Sequence, residues 1–175
     1  GEQLWQIEIG QSAKRSYPDS RSTPTLKDGF AYMTTGIGEV VCVDLKSKSV
    51  LWKVNGTELF EGKYKNWEIA ESPLVVDNKV LYTPAGHKTT MVALDTKTGK
   101  TVWKSKSLSD STAYVSPILI KRGGKKIAVN VTARYVFGVN IENGKMLWSH
   151  NYGKVDPPTV FPGAEHISCN SPLYK

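Results

Sequence analysis

A small set of charged, aromatic and amide side chains lies just upstream of a phrase that recurs four times in this chain. The phrase is Ser or Thr followed by Pro, at residues 23–24, 72–73, 116–117 and 171–172. The upstream side chains are Arg21, Trp67, Glu68, Glu71, Tyr114, His166 and Asn170. Guanidinium, carboxylate, phenol and amide groups can bind a polar ligand through hydrogen bonds and charge. Alternatively, Arg21 and Glu71 pair with each other and bind nothing else.

No catalytic or metal-binding pattern can be assembled from the other reactive residues. Ser, His, Asp and Cys do not occur in the sequence context of a known catalytic triad. His166 and Cys169 flank a stretch that could contribute only part of a metal site. Cys42 lies in an apolar stretch and is interpreted as a small buried residue. We expect no disulfide between Cys42 and Cys169 and no catalytic or metal residue.

A second phrase recurs in phase with the first and indicates how the chain is built. Apolar residues lead to an Asp or Asn, a turn, and then a tryptophan. The tryptophans are Trp5, Trp52, Trp103 and Trp148, spaced by 47, 51 and 45 residues. A period in the forties, with about four strands per unit, is typical of β-propeller blades. The two phased phrases therefore predict an all-β arc of propeller blades.

The motif at residues 93–103, Ala-x-Asp-x-x-Thr-Gly-Lys-x-x-Trp, is similar to the tryptophan-docking motif of pyrroloquinoline quinone (PQQ)-type β-propellers. Residues 42–52 and 138–148 resemble degenerate copies of it. The stretch from Trp67 to Val75 resembles the start of a blade in bacterial extracytoplasmic PQQ-like repeat proteins without assigned activity. The resemblance indicates the fold rather than the activity, because such propellers include dehydrogenases, assembly scaffolds and sensors.

The motif residues are interpreted as structural. Four tryptophans at one fixed strand position favour packing between neighbouring blades over a carbohydrate-binding aromatic set. Asp side chains can hydrogen-bond the turn that precedes each tryptophan, and glycines can adopt the left-handed conformation that closes it. The predicted docking residues are Trp5, Trp52, Trp103, Trp148, Asp44, Asp95, Gly99 and Gly144.

Residues 1–175 are predicted to form part of one propeller domain. Three four-stranded antiparallel blades are expected at about residues 22–54, 72–105 and 114–150. Orphan strands from flanking blades are expected at 3–9 and 171–175, with a short helical turn within 57–66. Because three blades cannot close a ring, we expect the arc to belong to a seven- or eight-bladed ring and to contact its remainder in the same or another chain.

The net charge of +7 does not by itself indicate a nucleic-acid-binding protein. The lysines are spread over the turns of every predicted blade, whereas nucleic-acid-binding surfaces gather basic residues on one element. No apolar run approaches the ~20 residues needed to span a bilayer. We therefore expect no nucleic-acid partner and no membrane span within this chain.

The leading functional hypothesis is a non-catalytic binding or scaffold propeller that contacts another protein. The resemblance implies a location outside the cytoplasm, in the periplasm or at the cell surface. One alternative is a quinone-dependent alcohol or sugar dehydrogenase, whose PQQ and calcium would be held partly by other blades. Another is the ligand-sensing domain of a membrane receptor. Under the leading hypothesis this chain binds no cofactor, since it has no adjacent Cys-Cys pair and no alignable calcium ligands.

Overall fold

The structure is a computed structural model that describes residues 1–13, 20–153 and 167–175. Within these residues the strands form three sheets of four strands each. The first sheet contains β1 (Thr25–Lys27), β2 (Phe30–Thr34), β3 (Glu39–Asp44) and β4 (Ser49–Asn55). The second contains β5 (Leu74–Val76), β6 (Lys79–Tyr82), β7 (Val92–Asp95) and β8 (Thr101–Lys104). The third contains β9 (Ile118–Arg122), β10 (Lys125–Val131), β11 (Tyr135–Asn140) and β12 (Met146–Asn151).

Every sheet is an antiparallel meander in which each strand pairs with the next along the chain. In the first and third sheets, the turn between the first and second strands has the backbone dihedral angles that a tight two-residue hairpin requires. Asp28 and Gly29 both have positive φ, at 51° and 83°, as do Gly123 and Gly124, at 55° and 70°. Paired positive φ values match the right-handed twist of the flanking strands. The predicted all-β fold with three four-stranded antiparallel sheets is confirmed.

The turn between the third and fourth strands is built in the same way in each sheet. In the second sheet, Asp95 Oδ1 accepts hydrogen bonds from the backbone N–H groups of Lys97 at 3.1 Å and Thr98 at 2.9 Å. The hydroxyl of Thr98 donates to the same oxygen, and these donors lower the pKa of Asp95. Asp44 and Asn140 accept backbone N–H groups at the equivalent place. The Asx side chain thus fixes the turn before each tryptophan.

Trp52 joins the first sheet to the second, and Trp103 joins the second sheet to the third. The indole Nε1–H of Trp52 donates to the carbonyl of Thr96 in the second sheet at 2.9 Å. Trp103 donates to the carbonyl of Ile141 in the third sheet, also at 2.9 Å. Each indole therefore packs with its single donor satisfied. Trp5 and Trp148 are each 40% exposed.

The ring of each joining tryptophan lies directly over a glycine of the next sheet's turn. A Cβ atom on Gly99, where φ is +68°, would lie 2.8 Å from the ring of Trp52. A Cβ atom on Gly144, where φ is +74°, would lie 2.6 Å from the ring of Trp103. The first sheet has Lys48 at this place, also with positive φ, at 55°. At residues 99 and 144, glycine is required both for the left-handed backbone and for the close approach of the indole.

We expect Gly99→Ala to lower the free energy of unfolding by about 2–4 kcal/mol, because it adds overpacking to a left-handed backbone. Gly29→Ala is the matched control, since Gly29 has φ of +83° and a Cβ atom there meets no atom within 4 Å. Gly29→Ala should therefore lower the free energy of unfolding only by the backbone strain, about 1 kcal/mol. Chemical denaturation measures both variants. Equal losses would show that the indole does not press on this turn.

The Ser-Pro and Thr-Pro phrases connect the first strands of successive sheets. The backbone N–H of Thr23 donates to Ser72 Oγ at 2.8 Å, and that of Ser72 donates to Ser116 Oγ at 3.0 Å. Ser116 N–H donates in turn to Ser171 Oγ at 3.1 Å. The hydroxyl at each phrase thus accepts the backbone N–H of the preceding phrase. We refer to this series of hydrogen bonds as the serine ladder.

Two local expectations differ from the structure. Residues 3–9 and 171–175 are not strands, because a strand needs a neighbouring strand with which to pair its backbone groups, and neither segment pairs in this way within the described residues. Ile7 and Ile9 nevertheless pack on Ala31, Val41 and Val43 of the first sheet. The short helical turn expected within residues 57–66 is present as the helix α1, which covers Gly56–Phe60. Asn55 caps its start, and Glu61 ends it in the left-handed conformation.

Candidate functional site

One end of the three sheets carries long connecting segments, which together form a surface we call the loop face. Antiparallel strands alternate in direction, so the second turn of each sheet and the link to the next sheet leave at the same end. The loop face consists of turns 35–38, 83–91 and 132–134 and links 56–73 and 105–117. Backbone hydrogen bonds join these segments in series from the first sheet to the third.

Four of the predicted site residues meet on the loop face, in what we call the aromatic–arginine cluster: Arg21, Trp67, Glu68 and Tyr114. The guanidinium Nη1 of Arg21 donates to the carbonyl of Trp67 at 2.7 Å and lies 3.6 Å from the Glu68 carboxylate. The rings of Trp67 and Tyr114 are 5.8 Å apart and inclined by 59°. Tyr114 Oη lies 3.3 Å from the backbone N–H of Trp67 and accepts its hydrogen bond. Residues from three separate segments therefore fix one another.

The cluster has the properties of a recognition surface. The side chain of Trp67 remains 46% exposed, although its backbone is held on both sides. The buried carboxylate of Glu68 partly neutralises Arg21, which is held in place as a result. Burial raises the pKa of the Tyr114 phenol, so this group stays protonated near neutral pH. A fixed, exposed aromatic side chain beside an arginine can bind a partner.

Glu71 does not join the cluster, contrary to the prediction. It is only 3% exposed and faces the interior between the second and third sheets. Its Oε1 accepts the backbone N–H of Thr83 at 2.9 Å, and its Oε2 accepts Asn130 Nδ2–H at 3.1 Å. Desolvation raises the pKa of this carboxyl to about 8, although the hydrogen bonds oppose that shift. The predicted pairing of Arg21 with Glu71 is wrong, because Arg21 pairs with Glu68.

The structure describes one of the two remaining predicted site residues. Asn170 is exposed, next to Ser171 of the serine ladder. His166 lies outside the described residues. The segment before Asn170 does approach the cluster, since the backbone N–H of Tyr114 donates to the carbonyl of Ser168 at 2.9 Å.

Sequence reasoning missed a second feature of the loop face, a pocket of about 250 Å³ that we call the basic pocket. It is lined by Lys63, Lys65, Asp110, Ser111, Ala133 and Arg134. These residues come from two links and one turn, which are distant along the chain. No repeat or motif marks them, so the sequence carried no signal that would group them.

The described residues contain neither a metal site nor a membrane-spanning helix. Among residues 1–13, 20–153 and 167–175, no three His, Cys, Asp or Glu side chains come close enough to hold a metal ion. The expectation that the chain binds no PQQ stays a prediction. Over the same residues, no helix has the length and hydropathy of a membrane span.

The chain is similar to known proteins over most of its length. The family model described as outer membrane protein assembly factor BamB matches residues 1–156. The chain is 24% identical over 151 residues to the outer membrane protein assembly factor BamB of Moranella endobia (strain PCIT), covering 84% of this chain and 34% of that protein. It is 27% identical over 155 residues to the quinoprotein alcohol dehydrogenase PedH of Pseudomonas putida, covering 83% of this chain and 24% of that protein.

A solved structure shows the same architecture. BamB from Moraxella catarrhalis superimposes with a TM-score of 0.55 at 15% identity, over 75% of this chain and 37% of that one. At this identity the likeness concerns the fold alone. The chain thus spans about a third or less of the length of the relatives that it matches.

Proposed function

The chain belongs to the PQQ-like repeat family described as outer membrane protein assembly factor BamB, and on that premise we propose that it is a non-catalytic scaffold propeller that binds another protein through its loop face. The proposed location is outside the cytoplasm, at the outer membrane. The family description and the BamB of Moranella endobia support both parts of the proposal.

The single observation that carries the proposal is the aromatic–arginine cluster. Tryptophan, tyrosine and arginine are the side chains that most often dominate the energy of protein interfaces. Here the backbone of Trp67 is held by Arg21 and by Tyr114, while its indole remains 46% exposed. A partner that covers this indole loses little free energy in ordering it, because its surroundings are already fixed.

We expect Trp67→Ala to weaken partner binding at least tenfold, as removal of a central aromatic side chain from an interface does. The tagged full chain and the variant are purified from the source cells, and co-purifying proteins are quantified by mass spectrometry. Val102→Ala is the matched control, since Val102 is also 46% exposed but lies on β8 away from the loop face. Co-purifying proteins that are unchanged by Trp67→Ala would contradict the proposal.

A quinone-dependent dehydrogenase is the second candidate function, favoured by the similarity to PedH. PQQ would supply the redox chemistry in such an enzyme, and among the described residues no three His, Cys, Asp or Glu side chains lie close enough together to hold its calcium. Stoichiometric quinone absorbance after incubation of the full-length protein with PQQ and calcium would favour this candidate over the scaffold.

A further inference from the structure

The basic pocket has a positioned arginine at its centre. Asp110 is 5% exposed, and its Oδ1 accepts the Nε–H of Arg134 at 2.9 Å. Asp110 Oδ2 accepts the backbone N–H of Arg134 at 2.7 Å and the hydroxyl of Thr132 at 2.8 Å. Gly153 packs beneath the aliphatic stem, where a Cβ atom would lie 2.6 Å from Arg134 Cγ. The buried carboxylate therefore holds the arginine in one orientation.

This arrangement leaves part of the guanidinium available to a ligand. Besides the Nε–H, only Nη2 of Arg134 has an acceptor within the described residues, the carbonyl of Ser109 at 3.4 Å. Both N–H groups on Nη1 thus have no acceptor there, and the side chain is 44% exposed. A planar guanidinium in this state is suited to bind a carboxylate or a phosphate.

Ser111 adds a hydroxyl group to the lining of the basic pocket. The residue is 5% exposed and follows Asp110 in the same link. A serine hydroxyl can donate a hydrogen bond to a carboxylate or phosphate oxygen.

The charge of the basic pocket also favours an anion. Lys63 and Arg134 contribute two positive charges and Asp110 one negative charge, which gives these three side chains a net charge of +1. Both carboxylate oxygens of Asp110 already accept hydrogen bonds from Arg134. The electrostatic potential in the basic pocket is therefore positive and attracts an acidic group.

We propose that the basic pocket binds the carboxylate groups of an acidic peptide segment in a protein partner. The inference rests on the proposed function, because it assigns a partner chemistry to the same loop face. A peptide fits better than a small anion for two reasons. The pocket of about 250 Å³ can hold a side chain, and Lys65 lies two residues from the exposed indole of Trp67, so an extended segment can contact both.

The test uses the isotope-labelled full chain, titrated with the capped peptide Ac-Glu-Glu-Glu-Glu-NH2 and followed by the chemical shifts of backbone amides. We expect the peptide to move the signals of Ser111, Ala133 and Arg134, and its glutamine analogue to leave them in place. Lys63→Gln should raise the Kd roughly threefold, as loss of one partly exposed ion pair does. Lys63 is chosen because removing Arg134 leaves Asp110 buried without its partner, which can unfold the chain.

Lys125→Gln is the charge-matched control, since Lys125 is exposed at the start of β10, at the opposite end of the third sheet from the loop face. Equal weakening by both variants would indicate general attraction to a basic protein and would overturn the proposal. Shifts of these signals by inorganic phosphate but not by the peptide would overturn it too. If Trp67→Ala abolishes partner recovery while the peptide fails to bind, only this inference fails. If the peptide binds while no partner is recovered, only the proposed function fails.

Discussion

Trp103→Ala is expected to lower the free energy of unfolding by about 3–5 kcal/mol, the typical cost of removing a buried tryptophan. The indole is 8% exposed and belongs to the apolar cluster that joins the second sheet to the third, with Met91, Phe137 and Ile141. Its removal opens a cavity between the two sheets. It also removes the donor that satisfies the carbonyl of Ile141.

Two further variants separate these effects by denaturant titration. Trp103→Phe keeps most of the apolar contact but loses the hydrogen bond, so we expect a loss of about 1–2 kcal/mol. His87→Ala changes an exposed turn residue and should stay within about 0.5 kcal/mol of the unmodified chain. If Trp103→Ala had the same midpoint as His87→Ala, Trp103 would not be a docking residue.

The second large expected effect is a fall in stability as the pH rises from about 5 to about 8, caused by Glu71. The pKa of its carboxyl is raised from 4.5 to about 8 by burial. Between these values the folded chain binds a proton that the unfolded chain has released. The contribution of the neutral Glu71 carboxyl to the free energy of unfolding is therefore fully present below about pH 4.5 and is lost as the pH rises through about 8. The expected loss is about 4 kcal/mol.

Glu71→Gln should make the free energy of unfolding nearly constant over this pH range. The introduced amide group would find an acceptor if the side chain of Asn130 turned over, because Asn130 Oδ1 has no hydrogen-bond donor among the described residues. Glu58→Gln is the matched control, since Glu58 is exposed on α1. Denaturation curves at several pH values measure all three proteins. An unmodified chain with flat stability between pH 5 and 8 would mean that Glu71 is not buried as a neutral acid.

The sheets could be predicted from the sequence because each repeat carries its own local turn signals. Asp95 and Gly99 fix a turn through hydrogen bonds and backbone geometry within a few residues. Trp103 follows at a constant distance, so one repeat is enough to place the tryptophan on the fourth strand. The ends at residues 3–9 were predicted less well, since strand pairing there depends on partners rather than on the local pattern.

The site was predicted only in part, because its composition depends on which way side chains point. Glu71 was expected beside Arg21, yet burial alternates along residues 70–74 and turns Glu71 toward the interior. Glu68 takes its place because its backbone has a positive φ of 65°, which no sequence pattern indicated. Asn130 carries a signal in the sequence, since it is a polar residue within the apolar stretch 127–131, and it is fully buried.

The serine ladder and the joining tryptophans share a direction. At each junction the earlier repeat donates and the later repeat accepts, as Thr23 does to Ser72 and Trp52 does to Thr96. Both kinds of hydrogen bond thus give the second repeat an acceptor edge toward the first repeat and a donor edge toward the third. A repeat duplicated in tandem would offer its neighbours the same donor and acceptor groups that they already bind. Evolution can therefore lengthen or shorten such an array by whole repeats without inventing a new interface.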